Sequence, residues 1–555
     1  MMKNRRNAVI TAAIACMLAV PLVIGPYAAR ADDLQTNPEL LQRLDQLAQV
    51  GTAKPQLPPG TATNAGSFPR SFLIPGTDTS LQVGGLIRLT ADYWFSGGNT
   101  ATSTGGDGDI AGVPGASGAQ LNVPGNTAKS RSNSVFAYNI WASRMFVETR
   151  TPTVYGGALT HIEFDFLGCS LGGIVCNNTV AGNNGLGARL RLAYATLGPF
   201  AAGQQYGPGT DLAASPESVE FGCCAGEYGI GRLPQVVYTF PPFPTPAGPA
   251  TLAVALVDPE DSAATPQGQT LTNNTNLQNV SLAGVAFGIN PATGLPFSQA
   301  NTSAGLLATL NGGSNQLISA NPLKASYPDP VAGLTWQQPW GHVKLSGVVH
   351  QAALVDGAHI DRQYIGYGGA VSGDVKPGWL GWLKDDIGFT GFAGNGLGRY
   401  AGGGGAGNYF PYLATKYGAP AGPLGASVGN PCGYGHLGVP TAGPGNAACA
   451  AGVRAQTIPE WGTEIWYQHW WSPTLRSTAE FGVTHQDVAT ALVGSQGNGG
   501  PGAVNKEIVD SQINLLWSPV PFIDTGFEYL WTHRQTIYNQ KGDQNVLLYL
   551  FAAKF

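Results

Sequence analysis

Arg88, Arg144, Arg150, Arg189, Arg191, Lys344 and Arg476 stand where a β-strand turns charged side chains to one side. Fixed cations of this kind attract anions, and the arginine fork grips a carboxylate in two places. The neighbouring residues carry the pattern. Met145, Val147 and Thr149 alternate with Arg144, Phe146, Glu148 and Arg150. Ile162, Phe164 and Phe166 alternate with His161, Glu163 and Asp165, and Leu190, Leu192 and Tyr194 with Arg189 and Arg191. On an earlier segment Val83, Ile87, Leu89 and Tyr93 oppose Arg88, Thr90 and Asp92; on a later one Val343, Leu345 and Val349 oppose Lys344. Successive strand side chains point to opposite faces, so each segment has one greasy face and one charged face. An arginine facing lipid at mid-depth costs about 2–4 kcal/mol, which places the charged face in water.

Consecutive strands bring Arg88, Arg144, Arg189 and Arg191 to one wall, and a basic wall in a narrow aqueous pore concentrates anions. Asp92, Glu148, Glu163 and Asp165 share that wall. The arginines therefore either set charge preference or brace the wall in ion pairs, and the two roles are compatible. His161, Glu163 and Asp165 on one face also have the composition of a metal or acid–base site. A polar lumen gathers such residues by default, however. No GxSxG stands out, and neither a P-loop nor HExxH is present. No cofactor, metal or enzymatic activity is expected.

The elements that position these residues are short strands tiled along most of the chain. They are expected near 81–95, 136–150, 157–167, 187–197, 199–207, 232–240, 249–257, 331–340, 342–355, 362–372, 384–394, 459–471, 474–487, 504–517, 521–535 and 544–555. That is about sixteen, an even number as bacterial barrels have. Short connections at Thr151-Pro152-Thr153, Gly198-Pro199, Gly341, Ser472-Pro473 and Ser518–Pro521 alternate with long ones at 96–135, 208–231, 258–330 and 395–458. Short periplasmic turns and long outer loops produce this alternation. Aromatics such as Tyr93-Trp94-Phe95, Trp336, Trp340, Trp379, Trp382, Trp466-Tyr467, Trp470-Trp471, Trp517, Tyr529 and Trp531 cluster near strand ends, as interfacial girdles do. The fold class expected is all-β: a transmembrane antiparallel barrel in the outer membrane, surrounded by lipid.

Composition agrees. With 79 glycines, 10% aromatic and only 11% charged residues, the chain suits strands and turns better than helices. Residues 1–31 read as a secretory signal peptide: Lys3, Arg5 and Arg6, then the apolar run Ala8–Gly25, then Ala29-Arg30-Ala31. Nothing after Asp32 is an apolar span long enough for a transmembrane helix, so a bilayer protein of this kind must be a closed barrel. The formal charge is −5, with no basic patch inviting nucleic acid. Once Cys16 leaves with the signal, Cys169 and Cys176 share one connection and Cys432 and Cys449 another, while Cys223 and Cys224 are adjacent. Disulfides are expected in an exported chain, but spacing leaves the pairing open. Residues 32–68 read as a periplasmic segment, with a helix over Leu34–Val50 that Asn37 caps. Its seam of Leu40, Leu44 and Leu47 suits a short coiled coil or a helix resting on the rim. A linker leads from it to a barrel domain over 69–555.

Several motifs then coincide: PGTDTSLQVGG, RTPTVYGGALTHIEFDFLG, LRLAYATLGPFAAGQQY, LPQVVYTF, WQQPWGHVKLSGVVHQ, FAGNGLGRY and EIWYQHWWSPTLRSTAEFGVTHQ. Together they resemble the DcaP-like outer-membrane porins across most of 68–555. The resemblance implies a homotrimer with a periplasmic coil and passive uptake of small anions, dicarboxylates among them. It also implies that the third outer connection, Pro208–Gly231, folds into the pore. Its Asp211, Glu217, Glu220 and Glu227 would then face the arginine wall; the alternative is an exposed acidic loop. The terminal Phe555, with aromatics at alternate positions before it, looks like the signal read by the barrel-assembly machinery. Long Gly/Ala-rich loops and extra cysteines depart from the family and leave pore width and solute open. A sugar- or cation-preferring porin, an exported adhesion protein and an outer-membrane hydrolase are the competing readings.

Overall fold

The computed structural model describes residues 65–96, 135–140, 142–168, 187–220, 225–229, 231–259, 263–264, 323–324, 327–355, 361–378, 384–401, 413–416, 454–488, 505–536, 539 and 541–555. The expected signal peptide and helix, the six loop cysteines, Trp379 and Trp382 lie outside the described residues.

Sixteen strands form the wall. They are β1 (Ser80–Ser96), β2 (two segments, Val135–Asn139 and Arg144–Thr153), β3 (Gly156–Gly168), β4 (Gly187–Leu197), β5 (Phe200–Tyr206) and β6 (Arg232–Thr239). β7 (Gly248–Val257), β8 (Asp329–Gln338), β9 (Gly341–Val355), β10 (Asp361–Val375) and β11 (Asp386–Asn395) follow. β12 (Pro459–Ser472), β13 (Leu475–Gln486), β14 (Asn505–Val520), β15 (Ile523–Thr536) and β16 (Lys541–Lys554) complete the wall. Each strand pairs antiparallel with the next, and β16 pairs back onto β1 from Leu86↔Lys554 to Ser96↔Asn545. Phe555 extends the seam: its backbone exchanges two 3.1 Å hydrogen bonds with Gly85. The ladder thus has no open edge, as lipid requires of a spanning sheet.

The structure refines several expected boundaries. Thr151-Pro152-Thr153 belongs to β2, and the chain turns at Val154-Tyr155, because Thr153 still pairs with Gly156. The β8–β9 turn is Pro339-Trp340, with Gly341 already paired. β14 runs on to Val520, so its turn to β15 is Pro521-Phe522. The turn at Gly198-Pro199 is as expected, with Gly198 at φ +57, a conformation that costs glycine little. Expected strand 136–150 is interrupted at 140–143. There the Ser143 hydroxyl accepts from the Arg88 N–H at 3.0 Å and donates to the Arg88 carbonyl at 3.3 Å, filling the broken rung.

Burial is inverted relative to a water-soluble protein. Val83, Ile87, Ile162, Phe164, Leu256, Leu345, Val349, Ile465, Ile513 and Phe527 are exposed on the outer face. Thr90, Asp92, Asp165, His350, Thr478, Gln512 and Thr532 are buried on the inner one. Three of the expected girdle aromatics are corrected by this parity. Trp94 and Trp466 point inward and are buried, and Trp470 points inward against Arg476 and Gln468, whereas Tyr93, Phe95, Trp471, Trp517 and Tyr529 are exposed outside.

The apolar core lies inside the barrel. Between β5 and β6 the described residues 207–220 and 225–229 lie inside the barrel. Val219 of this inner loop packs with Trp94, Leu516, Leu530, Val546, Leu548 and Leu550 of the wall. Ala225 and Tyr228 join Val331, Val348, Phe392, Leu397 and Tyr400 in a second cluster. The close approach depends on missing side chains: a Cβ at Gly226, which sits at φ +88, would lie 2.2 Å from the Thr463 carbonyl oxygen, and one at Gly482 would collide with the Ala225 carbonyl.

The outward parity is testable at Ile513, which is 57% exposed at mid-strand. Ile513→Arg is expected to destabilise the folded barrel by about 2–4 kcal/mol, whereas Ile513→Leu leaves it unchanged. Denaturant midpoints of the refolded protein in vesicles read the difference.

Candidate functional site: the lumen and its inner loop

The wall from β1 to β6 carries Arg88, Arg144, Arg150, Arg189, Arg191 and Arg232 toward the lumen. Register sets their order, placing Asp165 of β3 opposite both Arg144 of β2 and Arg189 of β4. Arg189 donates to Asp165 through Nε at 2.9 Å and Nη2 at 2.5 Å. Arg191, almost fully buried, donates to Glu163 at 2.6 Å and to Asp165 at 3.0 Å. Arg150 pairs with Glu148 at 2.8 Å and lies over the Phe68 ring, 4.3 Å from its centroid. His161 bonds the other oxygen of Glu148 at 3.1 Å. The trio His161, Glu163 and Asp165 is thus engaged with neighbouring side chains, and no group able to hold a metal occurs among the described residues.

Arg88 donates to the Val219 carbonyl, so it meets the inner loop directly. Arg144 lies within the field of Arg191, Arg88 and Glu163. Arg232, the first residue of β6, was not among the sequence candidates. The alternation of β6, with Pro234 and Val236 exposed and Gln235 and Val237 buried, counts its position with the outer face, so parity pointed away from it.

The acids of the inner loop take different partners from those expected. Asp211 accepts from His342 Nε2 at 2.9 Å and from the Ser372 hydroxyl at 2.6 Å, on β9 and β10. Beside it, Lys344 donates to the Thr210 carbonyl. Glu217 binds Arg476 of β13 in a two-pronged pair, and Gln468 donates to it at 2.8 Å. Thus Asp211 and Glu217 meet the wall opposite the arginines; the expected juxtaposition with Arg88, Arg144, Arg189 and Arg191 is corrected for both. Glu220 and Glu227 are buried. Glu227 lies near Glu464 and Glu480.

That opposite wall is acidic, which the sequence reading overlooked. Glu460, Glu464, Glu480, Asp510 and Glu528 all point inward from β12 to β15 and are at most 4% exposed. The inner loop meets Glu464, Glu480, Asp510 and Glu528, and Gly398 lies against Glu460. Glu528 accepts from the backbone N–H of Val219 at 2.7 Å and of Glu220 at 2.8 Å, from Ser218 at 3.1 Å and from Asn514 at 3.1 Å. Asp510 accepts from the Ala225 N–H at 2.8 Å, and Trp466 Nε1 donates to the Ala214 carbonyl at 2.6 Å. Behind the loop a cavity of about 10 Å³, lined by Asp211, Ser215, Glu227, Tyr228, Ser372 and Thr390, has room for one water. Alternation does mark Glu464 and Glu480 as inward, between outward Ile465 and Phe481.

A closed antiparallel barrel with a greasy exterior, a charged lumen and a loop folded across it is the architecture of an outer-membrane porin, a channel for passive diffusion. The chain belongs to the porin subfamily, whose family model matches residues 70–553. No curated protein sequence matches it. Its fold is similar to that of the outer membrane channel DcaP of Acinetobacter baumannii, with TM-score 0.54 and 17% identity over 86% of this chain and 97% of that one. An anion-selective porin from Comamonas acidovorans aligns with TM-score 0.40 and 7% identity over 86% of this chain and 100% of that one. OmpT of Vibrio cholerae aligns with TM-score 0.39 and 8% identity over 87% and 99%.

Two predictions concern the loop. Glu528→Ala strands two buried backbone N–H groups, each costing about 1–3 kcal/mol, so the loop should detach and single-channel conductance rise. Unchanged conductance in planar bilayers would show that other contacts suffice. His342 also bonds Asp374 through Nδ1. With carboxylates on both nitrogens, only the imidazolium can donate to both. Lys376 pairs with Asp374 and lies 3.6 Å from Asp386, and Lys344 flanks the same site. Raising the pH therefore removes one of the two bonds and loosens the Asp211 end of the loop. Current noise should grow on alkalinisation in the native channel, and Asp211→Asn should abolish that pH dependence.

Proposed function

We propose that this porin favours small anions, dicarboxylates among them. The carrying observation is the asymmetry of what a solute meets. The acids of β12–β15 are buried, four of them against the inner loop, whereas on the β1–β6 wall, where six arginines stand against Asp92, Glu148, Glu163 and Asp165, Arg150 and Arg189 keep 43% and 23% of their side chains exposed. The net positive charge of that wall raises the local concentration of anions.

The channel acts as a homotrimer whose N-terminal coil, seamed by Leu40, Leu44 and Leu47, lies in the periplasm after export. Phe555 serves as the contact for the barrel-assembly machinery. Disulfides within the outer loops stiffen the entrance. Arg189 and Arg191 have a second role: their shared carboxylates tie β3 to β4.

Reversal potentials in a salt gradient test the selectivity. The wild-type channel should pass chloride in preference to potassium. Arg144→Ala and Arg189→Ala should each lower the permeability ratio by about fourfold, the effect of one unit charge acting across about 10 Å of water on anion and cation in opposite senses. A wild-type channel with no anion preference, or mutants with unaltered ratios, would refute the reading.

A further inference from the structure

The inner loop departs at Tyr206 and returns at Arg232, and these two residues are directly paired across β5 and β6. They form the neck of the loop. Arg232 Nη1 donates to the Tyr206 hydroxyl at 3.1 Å, with its guanidinium carbon 5.7 Å from the ring centroid. The neighbouring arginines differ from it. Arg189 is held by Asp165, and Arg191 by Asp165 and Glu163. Among the described residues no carboxylate bonds Arg232; its partner is the Tyr206 hydroxyl.

The setting is strongly positive. Arg232 feels the charges of Arg191 and Arg189, and Tyr206 lies within the electrostatic reach of Arg144 and Arg191. A phenol that accepts a hydrogen bond from a guanidinium also carries an O–H that can donate to another group. Arginine offers five N–H donors, and the phenol uses one. The remaining donors of Arg232 and the phenolic O–H suit a group with two acceptor oxygens.

We infer that Arg232 and Tyr206 form a capture site at the neck of the inner loop for organic anions bearing a carboxylate. One carboxylate oxygen takes the free Arg232 donors and the other the Tyr206 hydroxyl, so the site discriminates by geometry as well as by charge. β5 ends and β6 begins on the side of the long outer connections, which places the site on the approach of solutes from outside. The neighbouring arginines then receive the anion as it moves inward. This assignment rests on the anion-preferring reading above.

Single-channel recording with full-length protein in planar bilayers tests it, using succinate as the probe against a potassium chloride background. Succinate should interrupt the chloride current, with an apparent affinity that falls about tenfold in Arg232→Gln, the loss of one charge-assisted hydrogen bond. Arg232→Lys keeps the charge but loses the fork and should also weaken the interruption. Tyr206→Phe keeps the ring but loses the donor and should weaken it less. Wild-type succinate affinity in Arg232→Gln, or a wild-type channel that succinate never interrupts, would overturn the assignment. If Arg232→Gln does not insert, Arg232→Lys and Tyr206→Phe decide the matter, and native affinity in both overturns it. The reversal potential of the wild-type channel separates the two levels. A channel without anion preference removes the functional reading itself, whereas an anion-preferring channel with unaltered succinate affinity in the variants removes only the capture site.

Discussion

A loop taken out of water must find partners for its backbone, and in this barrel the wall provides them as side chains. No strand is free to pair with the inner loop, because each wall strand is already bonded on both edges. The buried amides of Val219, Glu220 and Ala225 are instead taken by the carboxylates of Glu528 and Asp510. The carbonyls of Thr210, Ala214 and Val219 are taken by Lys344, Trp466 and Arg88. Backbone groups buried without such partners would each carry a desolvation penalty, so the loop's path is fixed by where the wall places its donors and acceptors. The glycines at 226 and 482 follow from the same requirement, since they permit the approach at which those bonds form.

The loop's position decides which charges matter to a solute. A carboxylate sealed against protein cannot act on the open lumen as one at its surface does, and the acids of β12–β15 are sealed. The β1–β6 wall is different: Arg150 and Arg189 retain access to the lumen beside their acidic partners. Bracing and selectivity are therefore not competing uses of the arginines. Glu163 and Asp165 fix the positions of Arg189 and Arg191, and the excess of arginine over acid on that wall supplies the net charge. A fixed guanidinium also spares a passing anion the cost of ordering a mobile side chain.

Much of this was legible in the sequence because a barrel strand reports its own orientation. Alternation at Arg144–Arg150 and Leu159–Phe166 placed those side chains on the correct faces, and the strands were located to within a few residues. At Arg189–Thr196 a β-bulge opposite Glu163 and Phe164 reverses the parity, so Leu192 and Tyr194, expected outside with Leu190, point inward, and Tyr194 stacks on His161. Where the reading failed elsewhere, it had departed from alternation. Trp94 and Trp466 were grouped with their aromatic neighbours as a girdle, although parity turns them inward against the loop. The acids at 464, 480, 510 and 528 satisfied the inward parity, but the search had followed the cations. The partners of Asp211 and Glu217 lay beyond any local pattern: Ser372 is 161 residues from Asp211 and Arg476 is 259 from Glu217. Pairing at such separations depends on barrel closure and on the loop's descent, neither of which leaves a periodic trace.

The neck of the loop shows why the site is divided as it is. Residues deep beside the loop are committed to holding it: Arg476 to Glu217, His342 to Asp211 and Asp374, Glu528 to two amides. Exchanging any of these bonds for a solute would release the loop and alter the pore. At the neck the cross-strand pairing of Tyr206 with Arg232 already fixes the chain, so the side chains there are spared that duty. Donors can engage a passing anion reversibly only where the backbone is secured by other means, and the ladder rung at the root of the loop provides that.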